Sequence, residues 1–301
     1  MQIKEMKEFN TPILLITFNR PQNTRRALET IMAVQPRDLY VFQDGAREGN
    51  DSDVVKCAEV RRIVEELTDG TQVRMHRKYS DKNLGCGPGP YKAMTWLFQN
   101  EEKGVIIEDD INPHPLFFPY MEDLLERYKD NDKIGIVAGH NYERHYSYKN
   151  SYFFTHETVG TWGWGTWRRV WKGFDFGIPY NEEELNDALK YFGMQKLCRQ
   201  KVCDFYGKWL QGSRHDFWDY QFDYYLMVNH YINIRPNSCL TSNEGGGPDA
   251  NHTFTTNGNF KMSVNEPLFE NLRHPSSIKI DPSVKWRMFK KEVHLMLKKY
   301  Y

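Results

Sequence analysis

Three acids in a row, Glu108-Asp109-Asp110, follow directly on the apolar run Val105-Ile106-Ile107. Like charges about 4 Å apart repel by about 1 kcal/mol in water, and by several times that in a cleft. A hard divalent cation relieves the repulsion because it prefers oxygen ligands. The same ion can hold a diphosphate and stabilise charge that grows on a leaving group. A solvated turn after an edge strand would carry the same three letters, so the place of the triplet in the fold decides its meaning. A fourth acid, Asp219, lies among aromatics in Phe217-Trp218-Asp219-Tyr220. Apolar walls raise a carboxyl's pKa, which suits a base that takes a proton from an attacking hydroxyl. An acid that caps a helix or bonds a tyrosine is the plainer account.

Two glycine-rich stretches join this set. Asn243-Glu244-Gly245-Gly246-Gly247-Pro248 runs on to His252. Gly245, Gly246 and Gly247 allow mobility and close backbone approach, which fits a lid that excludes water, with His252 in reach of a metal or a phosphate. A surface turn with an exposed histidine reads equally from these letters. Leu84-Gly85-Cys86-Gly87-Pro88-Gly89 lacks both the Gly-Lys-Ser/Thr ending of a P-loop and the spacing of a dinucleotide fingerprint. It reads as a turn into the next helix that lines a pocket.

The elements that position these residues alternate in the first half. Apolar runs predict strands over Ile13–Phe18, Leu39–Phe42, Val73–His76, Gly104–Ile107 and Ile134–Ala138. Helical spacing predicts helices over Asn23–Val34, Asp53–Leu67, Pro90–Gln99 and Pro115–Tyr128. Strand–helix alternation implies an α/β fold with a mixed, mostly parallel sheet flanked by helices. Such sheets bind ligands at the carboxyl ends of their strands, where Asn19-Arg20-Pro21, Gln43-Asp44-Gly45 and Glu108-Asp109-Asp110 all fall. The second half is aromatic and glycine-rich from Tyr142 to Trp171, helical from Glu182 to Tyr206, and aromatic and acidic from Asp216 to His230. Aromatic residues make up 15% of the chain and concentrate between Tyr142 and Tyr231. They suit either a core or platforms for sugar rings.

The 301 residues allow one large body, and the net charge of zero counts against a nucleic-acid partner. Cys57, Cys86, Cys198, Cys203 and Cys239 form no disulfide framework and no zinc spacing, and are expected as reduced thiols of a cytosolic protein. No signal peptide and no run of about 20 apolar residues is visible. Trp286, Phe289, Val293, Met296 and Leu297 recur at helical spacing among lysines. They predict a basic amphipathic helix that lies on an anionic membrane surface or packs on the body. The expected organisation is a first half over 1–141, a second half of the same body over 142–281, and this helix over 282–301.

Val105 to Asp110 resembles the strand and D-x-D element of GT-A glycosyltransferases, in the Glu-Asp-Asp form of N-acetylglucosaminyltransferase I and its bacterial relatives. Pro12 to Pro21 resembles the family's first strand and nucleotide loop, Gln43-Asp44-Gly45 its second strand end, and Asn83-Leu84-Gly85 its Asn-x-Gly turn. Gly163-Trp164-Gly165-Thr166-Trp167 and Phe217-Trp218-Asp219 are similar to segments of its acceptor half. The resemblance spans about residues 12 to 255. It implies a GT-A type, Rossmann-like sheet with an aromatic-rich acceptor half. It implies sugar transfer from a UDP-sugar, N-acetylglucosamine or another hexose, to a glycan or lipid-linked hydroxyl, with inversion and with Mn²⁺ or Mg²⁺. On it, Asp110 is the direct metal ligand; the glycine-loop reading adds His252 as a second candidate. Glu108 and Asp109 serve the donor sugar or ribose, and Arg20, Asp44 and Asn83 lie at the nucleotide, with Asp44 reading the uracil edge. Asp219 is the base. Trp162, Trp164, Trp218 and the three glycines line the acceptor or the lid. The family has Asp-Asp-Trp where this chain has Asp219-Tyr220-Gln221, so the base shifts to Asp223 or Asp216 if the alignment slips. Two other classes stand beside this one. A nucleotidyltransferase that makes sugar nucleotides would use a similar sheet, but that class usually begins with a Gly-rich loop and a nearby Lys, and the first loop here, Asn19-Arg20-Pro21-Gln22-Asn23, has no such glycines. A non-catalytic glycan-binding protein would use the aromatics but would leave the acidic triplet without a purpose.

Overall fold

The computed structural model describes residues 8–141, 149–156, 161–211, 216–245, 262 and 264–280. Four parallel strands form its first half: β1 (Ile13–Thr17), β2 (Asp38–Gln43), β3 (Arg74–Tyr79) and β4 (Lys103–Glu108), ordered β3-β2-β1-β4. Between them run α1 (Pro21–Met32), α2 (Asp51–Thr68) and α3 (Pro88–Asn100). Every residue of β1 and β2 is buried, which is why Ile13-Leu14-Leu15-Ile16 is apolar without alternation: a central parallel strand is covered on both faces. β3 is the edge strand, and its Arg74, Arg77 and Lys78 suit an edge that must stay unpaired.

Two helix starts differ from the sequence expectation. α1 begins at Pro21, two residues ahead of Asn23, because proline's fixed φ and missing N–H cost nothing in a first turn. α2 begins at Asp51, where the Asn50 side chain accepts a hydrogen bond from the Asp53 amide at 3.1 Å.

After β4 come β5 (Ile111–Pro113), α4 (Phe117–Arg127), β6 (Ile134–Ala138), β7 (Tyr152–Thr155), β8 (Trp164–Trp167) and the short α5 (Arg168–Trp171). Then follow α6 (Glu182–Tyr191), α7 (Lys196–Leu210), α8 (Trp218–Val228), β9 (Ile232–Pro236) and β10 (Thr241–Asn243). The main sheet has eight strands in the order β3-β2-β1-β4-β8-β6-β9-β7. β8 enters antiparallel between β4 and β6, so the sheet runs unbroken from the first half into the second. The fold is thus the expected mixed, mostly parallel sheet flanked by helices. The predicted helix from Glu182 to Tyr206 is two helices, because Gly193 takes φ +75° and ends the first.

The aromatic segment is mainly core. Trp164 is fully buried and Trp218 nearly so, with ring centroids 5.8 Å apart and planes at 18°. Phe222 packs on both. Trp164 and Trp218, read from the sequence as lining the acceptor or the lid, pack here between the sheet and α8.

At the opposite end of β2, the Asp38 carboxylate is buried and gathers three basic side chains. It accepts from Arg74 through both Nε and Nη2, from Arg37 Nε at 2.9 Å, and lies 3.2 Å from His76 Nε2. The Arg74 bonds first, then those of Arg37 and His76, hold its pKa well below the usual carboxylate range against the opposing effect of burial. No disulfide links the five cysteines. Among the described residues no helix is long and apolar enough to cross a membrane. The predicted helix over 282–301 lies outside the described residues.

Candidate functional site

The site grows from the shared carboxyl end of β1 and β4. Their register sets Ile16 opposite Glu108, and the pairing continues one step past the strand, where the Asp109 amide donates to Ile16 O at 3.0 Å. The acids thus emerge beside the loop that leads into α1. Phe18 N donates to Asp109 Oδ2 at 3.2 Å. Arg20, the residue before the first turn of α1, sends one nitrogen between two carboxylates: Nη1 lies 3.0 Å from Asp109 Oδ1 and 3.0 Å from Asp110 Oδ2. The side chains are 22% exposed for Arg20, 6% for Asp109 and 16% for Asp110, so Asp110 presents more of its carboxylate to the cleft than Asp109 does.

Charge crowding shows in the titration of the group. Burial first, then Asp110, Asp109 and Asp219, hold Glu108 above the usual carboxylate range, and Arg20 opposes them. Burial also raises Asp109, against Arg20 and the Phe18 amide. Asp219, in the first turn of α8, is thus close enough for its charge to be felt at Glu108. Asp219 is half-buried in the first turn of α8, accepts from the Tyr220 amide at 2.9 Å, and is itself raised by burial.

Asp44 stands at the end of β2 with its carboxylate already occupied. Oδ1 accepts from Gly45 N at 2.9 Å and Leu84 N at 2.8 Å, and Oδ2 accepts from Gly85 N at 3.0 Å and Asn83 Nδ2 at 3.2 Å. Asn83 Nδ2 also reaches Gly45 O at 2.8 Å. Here Asp44 and Asn83 fasten the glycine-rich 84–89 turn to the sheet. The turn in turn touches the segment ahead of α8: a Cβ on Gly87 would fall 1.6 Å from Asp216 O. Cys86, in the same turn, is exposed and feels the charges of Asp216, Asp219 and Glu108. No spacing in the sequence announced this contact, because residues 87 and 216 meet only through tertiary packing.

The two-stranded β5–β10 ribbon brings the second glycine-rich loop to the acids. Asn243 pairs with Ile111, and Glu244 N donates to Asp110 O at 2.8 Å. Gly245 N is held by Asn243 Oδ1 at 2.8 Å, and a Cβ at Gly245 would lie 2.4 Å from Asp110 Oδ2. The Arg26–Glu244 ion pair ties the start of the loop to α1. Gly246, Gly247 and His252 lie outside the described residues. Trp162 is half-buried, with its ring edge-on to His140 at 4.6 Å. Gly245→Ala is expected to displace the Asp110 carboxylate and weaken divalent metal binding about tenfold with little change in Tm. Mn²⁺ titration beside a melting curve checks this, and an unchanged Kd would count against it.

Among the described residues no three His, Cys, Asp or Glu groups converge to hold a metal unaided. One accessible carboxylate beside a glycine cradle instead matches the way Mg²⁺ binds in nucleotide sites, through one or two carboxylates plus the ligand's phosphates.

No protein-family model matches the chain, and no curated protein does. Solved structures do. A UDP-glucose pyrophosphorylase matches at TM-score 0.39 and 9% identity, covering 75% of this chain and 89% of that one. The 4-diphosphocytidyl-2C-methyl-D-erythritol synthase of Anaerococcus prevotii matches at TM-score 0.35 and 9% identity, covering 62% and 86%. The inositol-1-phosphate CTP transferase of T. maritima matches at TM-score 0.33 and 9% identity, covering 55% and 74%. No residue role is carried over from them. None of these names is that of a glycosyltransferase, and the expectation of sugar transfer to an acceptor, after the pattern of N-acetylglucosaminyltransferase I, is not carried further.

Proposed function

We propose that the cleft over the carboxyl ends of β1, β2 and β4 binds a nucleotide by its phosphates. On this reading the protein is a metal-assisted nucleotidyltransferase that makes sugar nucleotides. The observation that carries the reading is the cluster of Arg20, Asp109 and Asp110, in which one cation and two anions lie within 3.0 Å at a single sheet edge. Such a set suits phosphate oxygens and a divalent cation, and not an apolar ligand.

Asp110 would hold the Mg²⁺ or Mn²⁺ ion, which when bound neutralises charge on the phosphates. Arg20 offers a planar fork of donors to a phosphate. Asp44 and Asn83 keep the 84–89 turn in place beside the nucleotide, and the Glu244-Gly245 backbone closes the far side of Asp110. A sugar phosphate oxygen attacks the α-phosphorus, the bond to the β-phosphate oxygen breaks, and pyrophosphate leaves. The attacking phosphate is already ionised near neutral pH, since its second pKa is about 6, so the step needs alignment more than a strong base. Asp219 is assigned the orienting role, accepting a hydrogen bond from a sugar hydroxyl.

The test incubates the protein with nucleoside triphosphates, hexose 1-phosphates and Mg²⁺ or Mn²⁺, and measures pyrophosphate. Release that needs both substrates and disappears with EDTA is expected. A protein that makes no pyrophosphate from any pair, yet frees nucleoside diphosphate from a sugar nucleotide, would sink the proposal.

A further inference from the structure

Resting on the nucleotide-binding reading above, we infer that Arg20 is a resident cation that occupies Asp110 until a nucleotide arrives, so that metal and nucleotide enter the cleft as a coupled pair. A single guanidinium nitrogen, Nη1, stands 3.0 Å from both Asp109 and Asp110. That is the position a hard cation would take between two crowded carboxylates. A metal arriving alone must break a charge-assisted bond to Asp110 in a partly buried setting. It must also leave its own double charge beside an unshared guanidinium.

The two carboxylates are not equivalent in this exchange. Asp109 is held from a second side by the Phe18 amide at 3.2 Å. Asp110 accepts from Arg20 on Oδ2, and its main chain is fixed by Glu244 N at 2.8 Å. Arg20 therefore keeps Asp109 as a pivot and gives up Asp110. A phosphate supplies the replacement partner, because a guanidinium binds it through two parallel bonds. The arriving nucleotide draws Arg20 off Asp110 and frees that carboxylate for the ion in the same step. By linkage, the factor by which nucleotide tightens metal binding equals the factor by which metal tightens nucleotide binding.

The experiment measures Mn²⁺ affinity from the loss of the free-ion EPR signal, with and without UDP, for wild type, Arg20→Gln, Arg20→Lys and Asp110→Asn. Wild type is expected to bind Mn²⁺ weakly alone and at least about tenfold more tightly with UDP. Arg20→Gln is expected to bind Mn²⁺ alone about tenfold more tightly than wild type and to lose most of the UDP effect. Arg20→Lys, which keeps a cation there, restores the weak metal-only binding, and Asp110→Asn removes binding in every case. If Arg20→Gln folds only when Mn²⁺ is added, that gain reports the same competition. If it folds in neither condition, or binds Mn²⁺ alone no better than wild type while UDP still tightens it, Arg20 is a fixed counter-ion and the inference fails. If wild type binds no Mn²⁺ with UDP or with any of the nucleoside triphosphates, the nucleotide reading itself fails.

Discussion

Asp110→Asn is expected to slow pyrophosphate release about a thousandfold at saturating Mg²⁺, with the fold intact. The carboxylate is 16% exposed and sits against Gly245, where no side chain competes for the space. Neutralising it removes the anion that would fix the ion, and metal stabilisation of phosphate charge contributes about 4 kcal/mol, or about three powers of ten in rate. Stability should change little, because an amide oxygen still accepts from Arg20. Asp109→Asn should behave differently. Asp109 is nearly buried and holds both the Phe18 amide and Arg20, so its loss is expected to lower Tm along with activity. Turnover of Asp110→Asn within tenfold of wild type would remove Asp110 from the metal role.

The largest stability effect is expected at the far end of the sheet. Asp38→Asn should cost about 2–3 kcal/mol at pH 7, the size of charge-assisted bonds lost from a buried carboxylate whose arginine partners reach solvent. The sign of the pH dependence follows from the Asp38 pKa, which Arg74 first, then Arg37 and His76, depress in the folded state. A depressed carboxylate stabilises above its unfolded value of about 3.9, and that contribution is lost as pH falls toward the folded value. The gap between wild type and Asp38→Asn should therefore be full above about pH 5 and shrink steadily below pH 4. Urea denaturation at pH 7, 5, 4 and 3 measures it. A gap independent of pH would show that packing, not charge, holds this corner.

The first half of the fold was legible because its strands are long apolar runs separated by amphipathic helices. That pattern brings Arg20, Asp44 and the acidic triplet to one sheet edge, as the structure has them. The second half was less legible for a physical reason. β7, β8 and β10 have three to four residues each, too few to display a period. The tryptophans of β8 and α8 could be read as sugar platforms or as core, and only burial separates the two. The resemblance sets Asp44 at the nucleotide. The amides of Leu84 and Gly85 that occupy it come from a turn some 40 positions away, a contact that no local pattern encodes. The approach of Gly245 to Asp110 was invisible for the same reason, although the glycine itself was noticed.

That approach also orders events in time. Ser242 Oγ bonds Asn112 O across 130 residues of sequence, and the β5–β10 ribbon cannot close until nearly the whole intervening chain is made. The parallel strands β1 to β4 need only the first 108 residues. In a chain made from its N-terminus, the strands that carry the acids are therefore complete before the strap that finishes the Asp110 cradle is made. A ribosome-bound chain would hold the four parallel strands before it held the Asp110 cradle.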